Sequence, residues 1–455
     1  MKIRVFLAVL ACKLSRAAIR LLGRGGTDKP GRIALKLCPN LLGVLAKNVT
    51  TVIVTGTNGK TTTSRMIEES WKDAGISYFA NKSGANLLSG VTAEFAAHSS
   101  LFGRCRCTHA LIESDEAAFK TISTFVDAKV VVVTNLFRDQ LDRYGEVTHT
   151  LDNIRIGVQN SPNATLCLNA DDSLCSTLAG DVANPVVFFG VNTPIYSSRV
   201  AELSDAPYCI RCKTEYVYDY VTYGHLGSYC CPKCGYSRPV PAVAVTRVGA
   251  SDAEHSEVTF RSDGQEYDAT IRLPGGYNIY NACTCMAAGR AMGLDLGLCA
   301  HSLSKFECAF GRMEKFELNG TPVRMILIKN PAGCNQVLNF LTQIKEPFVF
   351  AACLNDRAQD GKDVSWIWDV DFERLAAMPK LKEIFVSGVR AEDMALRFKY
   401  TGYPVTNIHV VKDYDELCRQ MTEDKTPVYV MPTYTAMMDL RRLVSRLCGH
   451  KAFWE

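Results

Sequence analysis

The run Thr55-Gly56-Thr57-Asn58-Gly59-Lys60-Thr61-Thr62 constrains this chain more than any other stretch. It follows the β-branched run Thr51 to Thr55 and precedes a helical pattern, the context a phosphate-binding loop needs. Its glycines let backbone N–H groups face phosphates at a helix N-terminus, Lys60 neutralises the outer phosphate oxygens, and the Thr61 hydroxyl can ligate Mg²⁺. An ordinary glycine turn is the competing reading. The general form of such loops has glycine at position 54, where this chain has Val54, so the loop belongs to a narrower group.

From residue 50 onward short β-branched runs alternate with helical patterns, which predicts a parallel sheet covered by helices. The strand candidates are Thr51 to Thr55, Ala110 to Ile112, Val130 to Thr134, Thr165 to Leu168 and Val186 to Phe189. Ser256 to Leu273 is strand-like and Asn278 to Met292 reads as a helix. A second alternation, with strands near Phe348 to Leu354, Glu383 to Val386 and Val428 to Met431, predicts a separate C-terminal α/β domain. A length of 455 residues fits about three units at roughly 150 residues each. The expected spans are a lead-in over 1–48, an ATP-binding domain over 49–312 interrupted by an insertion at 205–240, and the C-terminal domain over 313–455.

Hydrophobic residues at 47% and charged residues at 22% exclude a disordered or fibrous chain. With 51 basic and 47 acidic side chains the net charge is +4, so composition demands no nucleic-acid partner. Nineteen cysteines, an odd number and mostly single within apolar runs, indicate a reducing cytoplasm rather than a disulfide scaffold.

At the N-terminus Lys2 and Arg4 precede an apolar run from Val5 to Cys12, the crude outline of a signal peptide. A helix fits better: Ile3, Phe6, Leu7, Leu10, Leu14, Ala17 and Leu21 recur at helical spacing, with Lys2, Arg4, Lys13, Arg16, Arg20 and Arg24 mostly off that stripe. Gly23, Gly25 and Gly26 end it. The favoured reading docks this apolar stripe on the domain; the alternative rests the basic face on an anionic membrane surface, at the inner face of the membrane.

Cys209-x-x-Cys212 and Cys231-x-x-Cys234 are separated by eighteen residues, the spacing of two zinc knuckles. Four thiolates close a tetrahedral Zn²⁺ and leave no position for water, so the site is expected to be structural. Basic residues in the segment are few beyond Arg211, Lys213, Lys233 and Arg238, which argues against a nucleic-acid ribbon.

Several motifs together carry a family resemblance. Thr-Gly-Thr-Asn-Gly-Lys-Thr at 55–61, Glu113 in Ile112-Glu113-Ser114-Asp115-Glu116, and Thr134-Asn135 with Asp139-Gln140-Leu141-Asp142 stand in one order with Leu168-Asn169-Ala170-Asp171-Asp172, Gly276-Tyr277-Asn278-Ile279-Tyr280-Asn281 and Gly311-Arg312-Met313-Glu314. This series resembles the Mur ligase superfamily, which activates a carboxylate as an acyl phosphate with ATP and condenses it with an amine. The resemblance implies Mg²⁺ at Thr61 and Glu113, and ATP contacts from the loop, from Asn278 on the adenine side and from Arg312 on the phosphates. Peptide-adding members generally carry a modified lysine about a dozen residues beyond the Asp-x-Leu-Asp motif, whereas this chain has Leu151-Asp152-Asn153-Ile154-Arg155.

A Mur ligase core with an inserted Cys₄ ribbon, no such lysine and this C-terminal domain is most similar to the MurT family, the ligase-like subunits of lipid II isoglutaminyl synthases, whose family partner is the glutaminase GatD. The implied activity is ATP-dependent amidation of the D-isoglutamate α-carboxylate in the lipid II stem peptide, with ammonia from glutamine. A glutaminase within this chain would need a nucleophile elbow, and no Gly-x-Cys-x-Gly occurs. In the acidic run Asn355 to Asp363 a solvated loop is the plain reading; the resemblance instead implies an aspartate completing the partner's Cys-His pair, with Asp363 preferred over Asp360 and Asp356. Rival readings are a stand-alone peptide or polyglutamate ligase, which the missing lysine disfavours, and a zinc-ribbon nucleic-acid-binding NTPase, which the charge disfavours.

Overall fold

The computed structural model describes residues 2–21, 28–81, 84–139, 147–196, 204–251, 254–273, 275–307 and 312–448. Eleven strands precede residue 272: β1 (Thr50–Thr55), β2 (Tyr78–Ala80), β3 (His109–Glu113), β4 (Ala128–Val133), β5 (Thr165–Asn169), β6 (Val186–Val191), β7 (Val217–Tyr223), β8 (Leu226–Cys230), β9 (Val243–Ser251), β10 (Ser256–Ser262) and β11 (Gln265–Ile271). Nine of them form one sheet in the order β11-β10-β9-β6-β5-β4-β1-β3-β2, while β7 and β8 pair as a separate hairpin.

Both faces of this sheet are covered, which is why Val52 to Val54 in β1 and Val130 to Val133 in β4 are unbroken apolar runs. Ile53, Ile112 and Val131 enter one buried cluster; Val52, Val54, Leu111, Val130 and Val132 enter the other. The expected parallel sheet holds across seven strands, from β9 to β2. It is otherwise corrected to a mixed sheet, because Ser256 to Ile271 folds as an antiparallel hairpin along β9. Asp263 and Gly264 turn that hairpin at φ 52° and 79°, the left-handed pair that a two-residue turn requires.

A second, six-stranded sheet contains β12 (Arg312–Leu318), β13 (Thr321–Ile326), β14 (Phe348–Cys353), β15 (Leu381–Ser387), β16 (Ile408–Val410) and β17 (Val428–Pro432) in the order β12-β13-β17-β14-β15-β16. Asn319 and Gly320, also at positive φ, turn the β12–β13 hairpin. The other neighbours are parallel.

The N-terminal helix Lys2–Leu21 does dock on the fold, against the helices Asp28–Leu37 and Leu88–Ala97, but by the opposite stripe to the expected one. Val5, Ala8, Val9 and Cys12 are buried, whereas Ile3, Leu7, Leu14 and Leu21 are 76%, 49%, 61% and 89% exposed. Small side chains permit the close approach: Ala8 and Cys12 face the neighbouring helices' side, and Gly103 lies where a Cβ would meet Val5 at 2.9 Å. Polar anchors fix the orientation, with Arg16 paired to Glu94 at 2.9 Å and Lys13 donating to the Ser99 carbonyl. The expected end at Gly23, Gly25 and Gly26, and Arg24 with them, lie outside the described residues. No helix among the described residues is long and apolar enough to cross a membrane.

Candidate active site

The phosphate loop joins β1 to the helix Lys60–Asp73. Gly56 at φ +113° and Gly59 at φ +85° occupy backbone conformations that side chains resist. A Cβ on Gly59 would stand 2.1 Å from Asn281 Oδ1, and one on Gly56 2.4 Å from Thr134 Oγ1. The motif after β4 grips the loop: Thr57 N donates to the Asn135 carbonyl at 2.8 Å, Asn58 N to Asn135 Oδ1 at 2.9 Å, and Thr134 Oγ1 to the Asn58 carbonyl at 2.7 Å. Thr57 Oγ1 donates to the Phe137 carbonyl and accepts from its N–H. Gln140, Leu141 and Asp142 of that motif lie outside the described residues.

Acidic groups gather beside the loop. Glu113, at the end of β3, accepts from Thr61 Oγ1 at 3.1 Å, and its backbone is clamped by Asn81 at 2.8 Å on each side. Lys60 is buried and folded back on the Gly56 carbonyl and on Glu116 Oε1 at 3.2 Å. Burial works against the ammonium, but Glu116, Asp115 and Glu113 outweigh it and hold Lys60 above the ordinary lysine range. Helix Val147–Gln159 contains the stretch Leu151 to Arg155, and there buried Asn153 accepts from Lys120 at 2.8 Å.

The two sheets meet over the loop. Asn58, Gly59, Thr62, Asn135, Tyr277 and Asn281 line a cavity whose other wall is Ile326 to Asn330 with Gln336. Asn281 reaches this cavity, while Asn278 lies behind it and accepts from Asn281 Nδ2 at 3.0 Å. Arg312 opens β12, at the junction between the sheets; its side chain lies outside the described residues. Two residues unmarked in the sequence reading tie the sheets together: Lys329 pairs with Asp139 at 2.6 Å, and Asn330 Nδ2 donates to Asn58 Oδ1 at 3.0 Å. Asn330 also caps the helix Pro331–Leu341, and this Asn-Pro helix start was the available signal.

The four cysteines of the insertion converge. Their Sγ atoms all lie within 4.8 Å of one another, with Cys209–Cys234 at 3.6 Å and Cys212–Cys231 at 3.4 Å. Tetrahedral Zn–S bonds of about 2.3 Å require sulfurs about 3.8 Å apart, so the thiol set fits that ion. Lys213 N and Gly235 N donate to the Cys209 and Cys231 carbonyls at 2.8 and 3.0 Å, closing two equivalent knuckles. The ribbon is bolted to the domain of the nine-stranded sheet. Tyr236 donates to the Ser173 carbonyl at 3.0 Å, and Arg238 Nε pairs with Asp171 at 2.6 Å. Buried Asp171 also accepts from Tyr280 OH at 2.6 Å and Val191 N at 2.9 Å.

In the C-terminal acidic loop the three candidates separate. Asp360 is buried and accepts from Thr435 N at 2.7 Å and from its hydroxyl; Asp356 pairs with Arg390 at 3.1 Å. Asp363 is half-buried in a cleft with Arg138, Asp139 and Trp366. Hydrogen bonds from the Ser365 hydroxyl and N–H hold its carboxyl below the usual range.

Residues 54–220 match the Mur ligase middle domain and residues 327–437 the MurT ligase C-terminal domain. The chain is 35% identical over 448 residues, 98% of each chain, to a Streptococcus pneumoniae protein named lipid II isoglutaminyl synthase (glutamine-hydrolyzing) subunit MurT. It is 32% identical to the protein of the same name from Staphylococcus aureus strain COL, over 97% of this chain and 98% of that one. Among solved structures it is similar in fold to MurF from Acinetobacter baumannii, with a TM-score of 0.67 and 15% identity over 92% of this chain and 81% of that one.

Asp171→Ala would leave Arg238 without its buried counter-charge, so it is expected to destabilise the N-terminal unit by about 3–5 kcal/mol. Adding Arg238→Met should restore part of that loss. Denaturant unfolding of the single and double variants checks this, and a loss below about 1 kcal/mol in the single variant would remove Asp171 as the anchor of the ribbon.

Proposed function

Because the chain belongs to the MurT family of Mur ligase-like proteins, we propose that it is the ligase-like subunit of a lipid II isoglutaminyl synthase. In this reading it uses ATP to amidate the D-isoglutamate α-carboxylate of the lipid II stem peptide. The observation that carries it is the match at 35% identity along 98% of the chain to a protein of that name, joined to a phosphate loop facing an inter-sheet cavity.

The γ-phosphoryl group passes to an oxygen of the substrate carboxylate and ADP leaves; ammonia then attacks the acyl carbon and phosphate leaves. Lys60 supplies the charge that balances the phosphate oxygens during the first step. Gly59 to Thr62 present their N–H groups to those oxygens at the start of the helix, the N–H groups of Thr57 and Asn58 being held by Asn135. The Thr61 hydroxyl and Glu113 carboxylate, 3.1 Å apart, offer the hard oxygen ligands that suit Mg²⁺. Held there, that ion would supply positive charge to offset what develops on the phosphate oxygens. The family resemblance assigns the adenine side to Asn278, whose neighbour Asn281 lines the cavity, and the phosphates to Arg312.

Ammonia comes from a GatD-like glutaminase subunit, with Asp363 orienting the partner's histidine. Supporting this are the consumption of Asp360 and Asp356 in contacts within the chain and the exposed aromatic pair Trp368–Tyr400, of which Trp368 stands on the helical turn Ser365–Asp369 that follows Asp363. The domain division at residues 48 and 312 and a structural Zn²⁺ on Cys209, Cys212, Cys231 and Cys234 belong to the same proposal.

Three measurements test it. Lys60→Ala and Glu113→Ala should each lower amidation about 10³-fold or more even with ammonium salts, since both act on phosphoryl transfer; near-normal ammonia-dependent turnover would refute the site. Asp363→Asn should cut glutamine-dependent turnover about 10³–10⁴-fold while leaving ammonia-dependent amidation intact; full glutamine-dependent activity would take the role from Asp363. One Zn²⁺ per chain should copurify and be lost in Cys212→Ser/Cys231→Ser with a lowered melting temperature, structural zinc contributing on the order of 10 kcal/mol; zinc-free reduced protein with unchanged melting would exclude it.

A further inference from the structure

The N-terminal helix turns its most apolar face to solvent. At 3.6 residues per turn, Ile3, Leu7, Leu10, Leu14 and Leu21 fall within an arc of about 60°, opposite the docked residues Val5, Ala8, Val9 and Cys12. The apolar surface continues onto the adjoining loop: half-buried Phe6 meets Phe102 at 5.8 Å, and Phe102 is 82% exposed. Such a patch on a docked, rigid helix marks an interaction surface.

Charge identifies its occupant. On the same helical projection Lys2, Lys13 and Arg20 border the stripe on one side and Arg4 on the other, and residues 2–21 contain no Asp or Glu. Exposed Arg104 and Arg106 follow Phe102, and Arg106 lies close enough to Lys13 to help lower its pKa, burial being the larger cause. The neighbouring acid, Glu94, is already paired with Arg16. We propose that the exposed face of helix Lys2–Leu21, with Phe102, docks this protein on an anionic lipid surface. The helix lies in the interface with its leucines among the acyl chains and its flanking cations at the headgroups. It does not span. A protein occupant of ordinary composition would be expected to leave an acidic rim opposite the cations, whereas a leaflet rich in anionic headgroups meets all of them at once. Placing the catalytic cavity beside a lipid-linked acceptor is the benefit, and that clause alone rests on the proposed function.

The test is flotation of the full chain with vesicles of phosphatidylglycerol and phosphatidylcholine against vesicles of phosphatidylcholine alone, without ATP or acceptor. Binding is expected to be about tenfold stronger to the anionic vesicles and to weaken as salt is raised. Leu7→Gln/Leu14→Gln should lower vesicle binding about tenfold or more with an unchanged melting temperature, because both side chains are already exposed. Arg4→Gln/Arg20→Gln, which leaves the leucines and the other cations in place, should weaken the preference for anionic lipid about tenfold. Equal binding of wild type and both variants, or no vesicle binding, overturns the proposal. A dimer in sedimentation that Leu7→Gln/Leu14→Gln dissociates, with no vesicle binding, assigns the face to a second copy instead. Because neither ATP nor amidation enters the readout, a failed ligase assignment leaves this result standing, and the reverse.

Discussion

Gly59 stands where the chain has room for a hydrogen and nothing larger, with Asn281 Oδ1 2.1 Å from any Cβ it might carry. That contact brings the start of one helix against the first turns of another, Gly276–Met292, which runs behind the sheet. Its other face is set by Thr134 and Asn135, which hold the loop's N–H and carbonyl groups from the end of β4. The loop therefore has no freedom to choose a conformation: positive φ at two glycines, a captured backbone and a packed helix start over-determine it. A phosphate cradle built this way is formed before any ligand arrives, and the entropy of ordering it is met by folding rather than by binding.

The same preorganisation creates an electrostatic difficulty, because it buries Lys60. An isolated ammonium there would cost several kcal/mol, and the chain answers it with Glu116 at 3.2 Å and two more carboxylates nearby. In the proposed reaction, phosphate oxygens beside Lys60 would offer it the charge that Glu116 supplies here. Lys60 therefore needs no change of protonation to serve either state, and its raised pKa keeps it cationic throughout the neutral range.

Where the sequence was legible, it was because periodicity and burial agree. β1, β4 and β17 are covered on both faces, so their apolar runs coincide with the observed strands to within a residue or two. The hairpins were less legible by periodicity, although Asp263-Gly264 and Asn319-Gly320 are two-residue turn signals that local reading can find. The N-terminal helix was recognised but its orientation inverted, because hydrophobicity ranks Leu and Ile above Ala and Cys whereas close helix packing favours the small residues. Likewise the sequence marked Asn278, while three residues on, one helical turn, Asn281 takes the cavity wall. Contacts between the sheets, such as Lys329 with Asp139, are separated by 190 positions and leave no local pattern to read.

The insertion illustrates why a motif and its consequence can be far apart. Read alone, the Cys₄ ribbon is an appendage whose four thiols hold two turns together. In the fold its hairpin reaches inward: Gly224, at the tip between β7 and β8, sits where a Cβ would meet the Phe137 ring at 2.7 Å, and Tyr223 stacks on that ring at 5.6 Å. His225, beside them, lies 3.4 Å from Asp172, which caps a helix and accepts from Leu136 N at 2.7 Å. Phe137 in turn exchanges hydrogen bonds with the Thr57 hydroxyl of the phosphate loop. From the cysteines to Thr57 the path is continuous packed and hydrogen-bonded matter, with buried side chains at each step. The ribbon's hairpin thus packs through Phe137 against the segment that holds the loop, and through Tyr223 it also reaches the cavity wall.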